Sequence, residues 1–341
     1  MILCFALLLS DSGMLVMATD EDQSSGWQTI EDKKYYIDEV TGKAKTGWFL
    51  DDGLWYLFDS YGVMQTGWQS VGGNNYYLTE TGQMASGWLY EENNWYYFGA
   101  ANDGAMATGG RYVNGAVYVF NASGAMYANG TYTRNGCTFV ADASGAVSSC
   151  YASNFPVVCQ RPELPTGCEI TALTMVMNYY GYPVSKVTMA SNYLPTVKSG
   201  YYGVDLDYYF CGDPFTTNGM ICGAGALVTA ANGYFYDCGS KLRGIDLTGS
   251  SAMDVLARVA GGQPSVAMVT IGMAERRSAS GWYTSTGKYV TYSTNDHGVA
   301  VIGWDSTTVT IVCPLFGVIT YTRAQFENAY ASRGNRAMIL Q

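Results

Sequence analysis

The chain has 341 residues, enough for two domains with their own cores, so neither a structural metal nor a disulfide staple is required for folding. Only 13% of residues are charged, against 41 Gly and 29 Tyr, a balance that points to short strands and turns and away from long solvated helices. The net charge of −10 is concentrated in residues 19–150, which hold 15 acidic and 6 basic side chains, whereas residues 151–341 hold 12 of each; such an acidic front half excludes a nucleic-acid-binding face and favours a neutral or cationic ligand.

Residues 1–18 are apolar but interrupted by Asp11 and lack a basic leading region. They read as the apolar core of an export signal cut near Ala18; the alternatives are a misplaced start or a buried N-terminal strand. No segment reaches the roughly 20 apolar residues that a membrane-spanning helix needs. Export would permit disulfides among Cys137, Cys150, Cys159, Cys211, Cys222, Cys238 and Cys313, with the pairing open. No cysteine pair has zinc-type spacing and the chain has one histidine, so no metal and no cofactor is expected.

From residue 26 the dipeptide Gly-Trp recurs, at Trp27, Trp48, Trp68 and Trp88, in steps of 21, 20 and 20 residues. Aromatic runs lie between the copies: Tyr35-Tyr36, Trp55-Tyr56, Tyr76-Tyr77 and Trp95-Tyr96-Tyr97. Two weaker copies follow, with Gly110 and Thr131 where the Trp would stand. A fixed period near 20 marks stacked units, each too small to bury its own apolar face. Each unit reads as one β-hairpin, a Gly-Trp strand and an aromatic strand around a polar turn. Stacked hairpins predict an all-β solenoid over residues 19–150, whose last two copies serve as spacers against the next domain.

This TGW…WYYF…G.M pattern resembles the choline-binding or glucan-binding, cell-wall-binding repeats of Gram-positive surface proteins. The resemblance implies a quaternary ammonium or a sugar held between aromatic rings of neighbouring repeats. A methylated cation has no strong hydrogen bond to offer and is held by ring faces. The leading Trp of the aromatic run is present only as Trp55 and Trp95, with Lys34 and Asn75 elsewhere. The expected ligand residues are therefore Trp48, Trp55 and Trp68 in one complete cage, and Trp88 with Trp95 in a second that lacks its third ring. The remaining Tyr residues are expected to form the core of the array.

After a loop with Pro156, Pro162 and Pro165, Thr166-Gly167-Cys168-Glu169 reads as a capping box, with Thr166 as N-cap and Glu169 reaching back to it. Ile170, Leu173, Val176, Met177 and Tyr180 then recur at helical spacing until Gly181 and Pro183 stop the helix. Cys168 thus falls in a first helical turn, where the macrodipole favours a thiolate. His297 opens an apolar strand to Trp304, followed by a turn at 305–308 and a second strand, Val309–Cys313. A cysteine at a helix start followed 129 residues later by a histidine on a strand is the papain-like order of nucleophile and base.

Residues from about 157 to the end resemble the C39-like bacterial cysteine peptidases. The likeness rests on PELPTGCEITAL at 162–173, GDPF at 212–215, NDHGVAVIGWD at 295–305, PLFG at 314–317, and Phe326-Glu327 with Tyr330. It implies a papain-like α+β fold for residues 151–341, with Cys168 as nucleophile, His297 as base and Gln160 as oxyanion donor. Where the family has an Asp before the Pro of the second strand to orient the imidazole, this chain has Cys313. Asp305 could substitute only if its turn folds back, and Asp213 of GDPF reads as a turn cap.

The expected protein is a secreted, cell-wall-associated cysteine peptidase acting through an acyl-enzyme. Its expected partners are a peptide or protein substrate and, through the repeats, wall choline or polysaccharide, without a transmembrane anchor. The alternatives are a weakly active or inactive surface-binding protein with a peptidase fold, which Cys313 favours, and a Cys/His peptidoglycan hydrolase.

Overall fold

The structure is a computed structural model and describes residues 8–9, 15–16, 25–100 and 102–341. The expected export segment lies, apart from a bridge between Leu8–Leu9 and Leu15–Val16, outside the described residues. Contacts divide the chain into two compact units, Met1–Thr108 with Ser123–Ala125, and Gly109–Ala122 with Met126–Gln341.

Among the described residues, the first unit holds four hairpins of paired five-residue antiparallel strands: Gly26–Ile30 with Lys33–Ile37, Gly47–Asp51 with Leu54–Phe58, Gly67–Val71 with Asn74–Leu78, and Gly87–Glu91 with Asn94–Phe98. Two-residue turns join the strands with both central residues at positive φ, as at Asp52 (46°) and Gly53 (77°). That is the mirror-image turn whose twist matches paired strands. The glycine of each Gly-Trp opens its strand at positive φ, 71° at Gly47 and 68° at Gly67, which explains why Gly precedes each Trp. Backbone bonds tie each hairpin to a later one: the Met64, Met84 and Met106 amides donate to the carbonyls of Lys34, Trp55 and Asn75, each at 2.8 Å. Phe58, Leu78 and Phe98 are buried inside the array.

The two weaker copies also form hairpins, Gly109–Val113 with Ala116–Phe120 and Gly130–Arg134 with Cys137–Ala141, and by packing they go with the second unit. The missing Trp at 110 has a steric cause. A Cβ there would lie 1.6 Å from the Ala257 carbonyl oxygen, so only glycine lets this hairpin lie against the helix that carries Ala257.

The second unit is built on a nine-stranded sheet: β1 (Gly130–Arg134), β2 (Cys137–Ala141), β3 (Val147–Ala152), β4 (Gly244–Asp246), β5 (Ser265–Thr270), β6 (Asp296–Trp304), β7 (Thr308–Cys313), β8 (Gly317–Thr322) and β9 (Ala337–Leu340). The order is β1-β2-β3-β6-β5-β9-β4, with β7 also on β6 and β8 on β7, and every pairing is antiparallel. Five helices complete it: α1 (Cys168–Tyr179), α2 (Lys186–Asn192), α3 (Ala224–Asp237), α4 (Ala252–Ala260) and α5 (Arg323–Ser332). β6 is buried at all nine positions and lies between β5 and β7, with α1 packed against it, so its apolar run reads as continuous where a one-faced strand would alternate. Ten residues of α1 are buried, and Ile170, Leu173, Met175 and Val176 carry the helix into this unit's core, with buried Cys168 at its start.

Candidate active site

Cys168, expected in a first helical turn, is the first residue of α1, but the cap differs. The N-cap is Gly167, with no side-chain hydrogen bond, and the Thr166 hydroxyl instead donates to the Thr216 carbonyl at 3.0 Å. Glu169 is 1% exposed; its carboxylate accepts the Cys168 thiol proton at 3.2 Å and is also bonded by the Cys222 amide. The expected capping box is thus replaced by a buried thiol–carboxylate pair.

His297 lies at the start of β6, paired with Val269 of β5, and is 3% exposed. The residue after it must be glycine, because a Cβ on Gly298 would fall 2.8 Å from the Glu169 Cα. That close approach brings α1 onto β6, and the Gly298 amide bonds the Cys168 sulfur. The imidazole Nε2 is 3.2 Å from Cys313 Sγ at the end of β7, and Sγ also accepts the Leu315 amide at 3.4 Å. Cys313 is thus the side chain bonded to the imidazole. Asp305 does not reach it: its two carboxylate oxygens bond Thr307 and Thr308 in their own turn, eight residues and roughly 26 Å along an extended chain from His297. Asp213 behaves as expected for a turn, accepting the Phe215 amide and pairing with Lys198.

The electrostatics correct one expectation. The helix start is present, yet burial and then the Glu169 charge push the Cys168 thiol well above its ordinary range, so the resting group is a thiol. Burial raises Glu169, against its hydrogen bonds and the Arg333 charge, to about 7, and burial lowers His297 to about 4. Both displacements favour the uncharged forms, a thiol at Cys168 and a neutral imidazole at His297. Gln160 is buried; its amide donates to the carbonyls of Pro165 at 2.8 Å and Leu164 at 3.2 Å, while its Oε1 has no partner. Both amide hydrogens are thus spent on the loop that leads into α1.

Sequence reasoning missed a charged network behind this pair. Asp296, just before His297, accepts two bonds from Arg276 at 2.8 and 3.0 Å and one from Arg333 Nη1 at 3.0 Å. Arg333 follows α5, is 3% exposed, and its charge also acts on Glu169. Asp296 had a signal in its place beside the histidine; Arg333, far along the chain, had none.

In the repeats, the structure brings Trp48 to Trp55, with centroids 6.4 Å apart and rings at 89°, and Trp88 to Trp95 at 6.2 Å and 87°. Each pair forms a corner of two ring faces. The third ring beside Trp48 is Tyr76 at 4.9 Å, whereas Trp68 sits with Tyr77, Tyr96 and Phe98. Trp27 repeats the Trp68 arrangement with Tyr36, Tyr56 and Phe58, so odd and even hairpins use their Trp differently.

Residues 152–338 match the model of the Peptidase C39-like family. The chain belongs to that family. A C39-like peptidase from Bacillus anthracis superposes with a TM-score of 0.51 at 29% identity, covering 56% of this chain and 96% of that one. The uncharacterized protein YvpB of Bacillus subtilis is 33% identical over 185 residues, 53% of this chain and 71% of its own length. Ahead of the C39-like domain, residues 25–39 and 46–64 match a cell wall binding repeat, and residues 65–103 a choline-binding repeat. The structure of CbpJ from Streptococcus pneumoniae is 35% identical over 42% of this chain and 48% of its own, with a TM-score of 0.37. Among the described residues, no helix is long and apolar enough to cross a membrane.

Proposed function

We propose that this chain is a secreted, cell-wall-associated cysteine peptidase, in which residues 151–341 cut a peptide and residues 19–150 hold the enzyme on the wall. The observation that carries the reading is the meeting of α1 and β6. Cys168 opens the helix, the Gly298 amide reaches its sulfur, and the adjoining His297 is neutral and held through Nε2, which leaves its other ring nitrogen for the substrate side. In the reaction, Cys168 would form the acyl-enzyme and His297 would act as the base. Gln160 would turn an amide hydrogen to the oxyanion by giving up its longer bond, the one to Leu164. The test is hydrolysis of a peptide library with Cys168→Ala as control: turnover by wild type alone supports the reading, and equal turnover or none refutes it.

A second reading, a weakly active or inactive wall-binding protein with a peptidase fold, is favoured by one feature: a neutral thiol stands where an acidic orienter would be. A Cys/His peptidoglycan hydrolase uses the same groups on stem peptides and is separated by assaying purified walls.

For the repeats, the reading is a β-solenoid whose Trp48–Trp55 and Trp88–Trp95 corners take choline or a wall sugar. The acidic charge of residues 19–150 and the choline-binding repeat match support the cation. Trp55→Ala is expected to weaken retention of the full chain on a choline matrix by about tenfold, the scale of one cation–π contact of 1–2 kcal/mol. Tyr36→Ala should change it little, because Tyr36 packs on Trp27 and Phe49. Equal loss from both would make the rings structural.

A further inference from the structure

We propose that Glu169 is a further catalytic residue, the acceptor of the Cys168 proton, which makes readiness of the nucleophile depend on the charge of a neighbouring carboxylate and not on His297 alone. The inference rests on the reading of Cys168 as the nucleophile.

A thiol has one hydrogen, and the hydrogen bond that Cys168 makes is the 3.2 Å contact to Glu169 Oε2. His297 Nε2 is engaged with Cys313. Both Cys168 and Glu169 are buried, so their proton exchange is internal to the site. In the step, the Cys168 S–H bond breaks, the electron pair stays on sulfur, and the proton passes to the Glu169 carboxylate, which becomes a carboxylic acid. The resulting thiolate sits at the first turn of α1 and receives the Gly298 amide, which together favour the charge on sulfur.

The surroundings set when Glu169 can accept. From α1 it faces its own amide and Cys168; from the segment before α3 it faces the Cys222 amide and thiol; from β6 it meets Gly298; and from the end of α5 it feels Arg333. Behind Arg333 stand Asp296, Arg276 and Arg336. Burial raises Glu169 while its own amide, the Cys168 thiol, Arg333 and the Cys222 amide pull it down, leaving it at about 7. Above that pH the pair holds one proton and can form a thiolate; below it the pair holds two and is inert. Burial and then the Glu169 charge keep Cys168 a thiol at rest, so its proton leaves only as Glu169 takes it up.

The experiment is the pH dependence of Cys168 alkylation by iodoacetamide in the full chain, with Cys168→Ser subtracted. The expected wild-type profile has an acid limb near pH 7 that persists in His297→Ala. Glu169→Gln, nearly isosteric, should lose that limb and react about 10-fold or more slowly at pH 7.5, on the scale of general-base assistance. Thiolate absorbance of wild type, measured as the difference from Cys168→Ser, should stay absent through pH 7, because the resting proton is on sulfur and passes to Glu169 only as sulfur reacts. The proposal is overturned if Glu169→Gln keeps the limb while His297→Ala abolishes it, or if wild-type Cys168 becomes reactive only in the ordinary thiol range. Peptide hydrolysis is read separately: turnover without the limb removes Glu169 and leaves the peptidase, and the limb without turnover does the reverse.

Discussion

A Glu169→Gln variant gains about 3 kcal/mol of stability as pH rises from 4 to 6.5, and a His297→Gln variant loses about as much between pH 4.5 and 7, while wild type stays nearly level. The cause is a pair of opposed displacements. Burial lowers His297 from 6.5 to about 4, so between these values the unfolded chain binds a proton that the folded chain does not, and stability rises with pH. Burial raises Glu169 from 4.5 to about 7, so the folded chain binds the extra proton, and stability is lost as pH climbs through 7. In wild type the two slopes offset each other over most of the window, and removing either group exposes the other. Other displaced groups, among them the lowered carboxylates of Glu163, Asp207 and Asp213 and the raised Cys222 thiol, are common to wild type and both variants and cancel when the profiles are compared. The measurement is urea unfolding of the full chain at several pH values, following exposure of the sulfur at 168 to a thiol reagent. Parallel profiles for wild type and both variants would mean that neither group is displaced as the burial argument requires.

The hairpins were legible because each is a local object. Gly-Trp at positive φ, a two-residue turn and an aromatic strand lie within about twenty residues, so spacing alone defines them. What spacing could not say is how rings from different hairpins meet. Trp68 was expected to close the cage on Trp48 and Trp55, and Tyr76 takes the place beside Trp48, because alternate hairpins present their Trp differently. The weak fifth copy looked like decay, yet Gly110 is demanded by the Ala257 carbonyl of α4, about 150 residues away.

In the second unit Cys168 and His297 were legible from a helix start and a strand start. The Thr166–Glu169 spacing was read as a cap because a capping box is a local pattern, and local patterns are what a sequence displays. The carboxylate turned inward, where Cys168, Cys222 and Arg333 meet it from three segments. A buried charge needs a partner, but nothing near residue 169 names one at 333. The same limit hid the Arg276–Asp296–Arg333 network that fixes the entry to β6.

Replacing Cys313 by Asp is expected to raise peptidase turnover by on the order of 10²-fold without changing wall binding, within the 10²–10⁴-fold that general-base catalysis supplies. The thiol at 313 is ambiguous toward the imidazole. If it donates to Nε2, the ring carries its hydrogen on Nδ1 and cannot take a proton there; if it accepts, the ring has the useful tautomer. Burial raises the Cys313 thiol, so it keeps its hydrogen and leaves both arrangements open at neutral pH. A carboxylate only accepts, which forces the hydrogen onto Nε2 and also stabilises the imidazolium that forms in the reaction. The Leu315 amide that now bonds Cys313 Sγ is already placed to donate to a carboxylate oxygen, which lessens the cost of a charge at a site 4% exposed. The ionised carboxylate of the Cys313→Asp variant would also lift His297 from about 4 toward neutrality, so the acid limb of turnover should move to higher pH. Thermal unfolding of both proteins separates a lost fold from lost chemistry. A variant that folds as wild type does, gains no turnover and leaves the pH profile unmoved would show that tautomer choice at His297 does not limit this site.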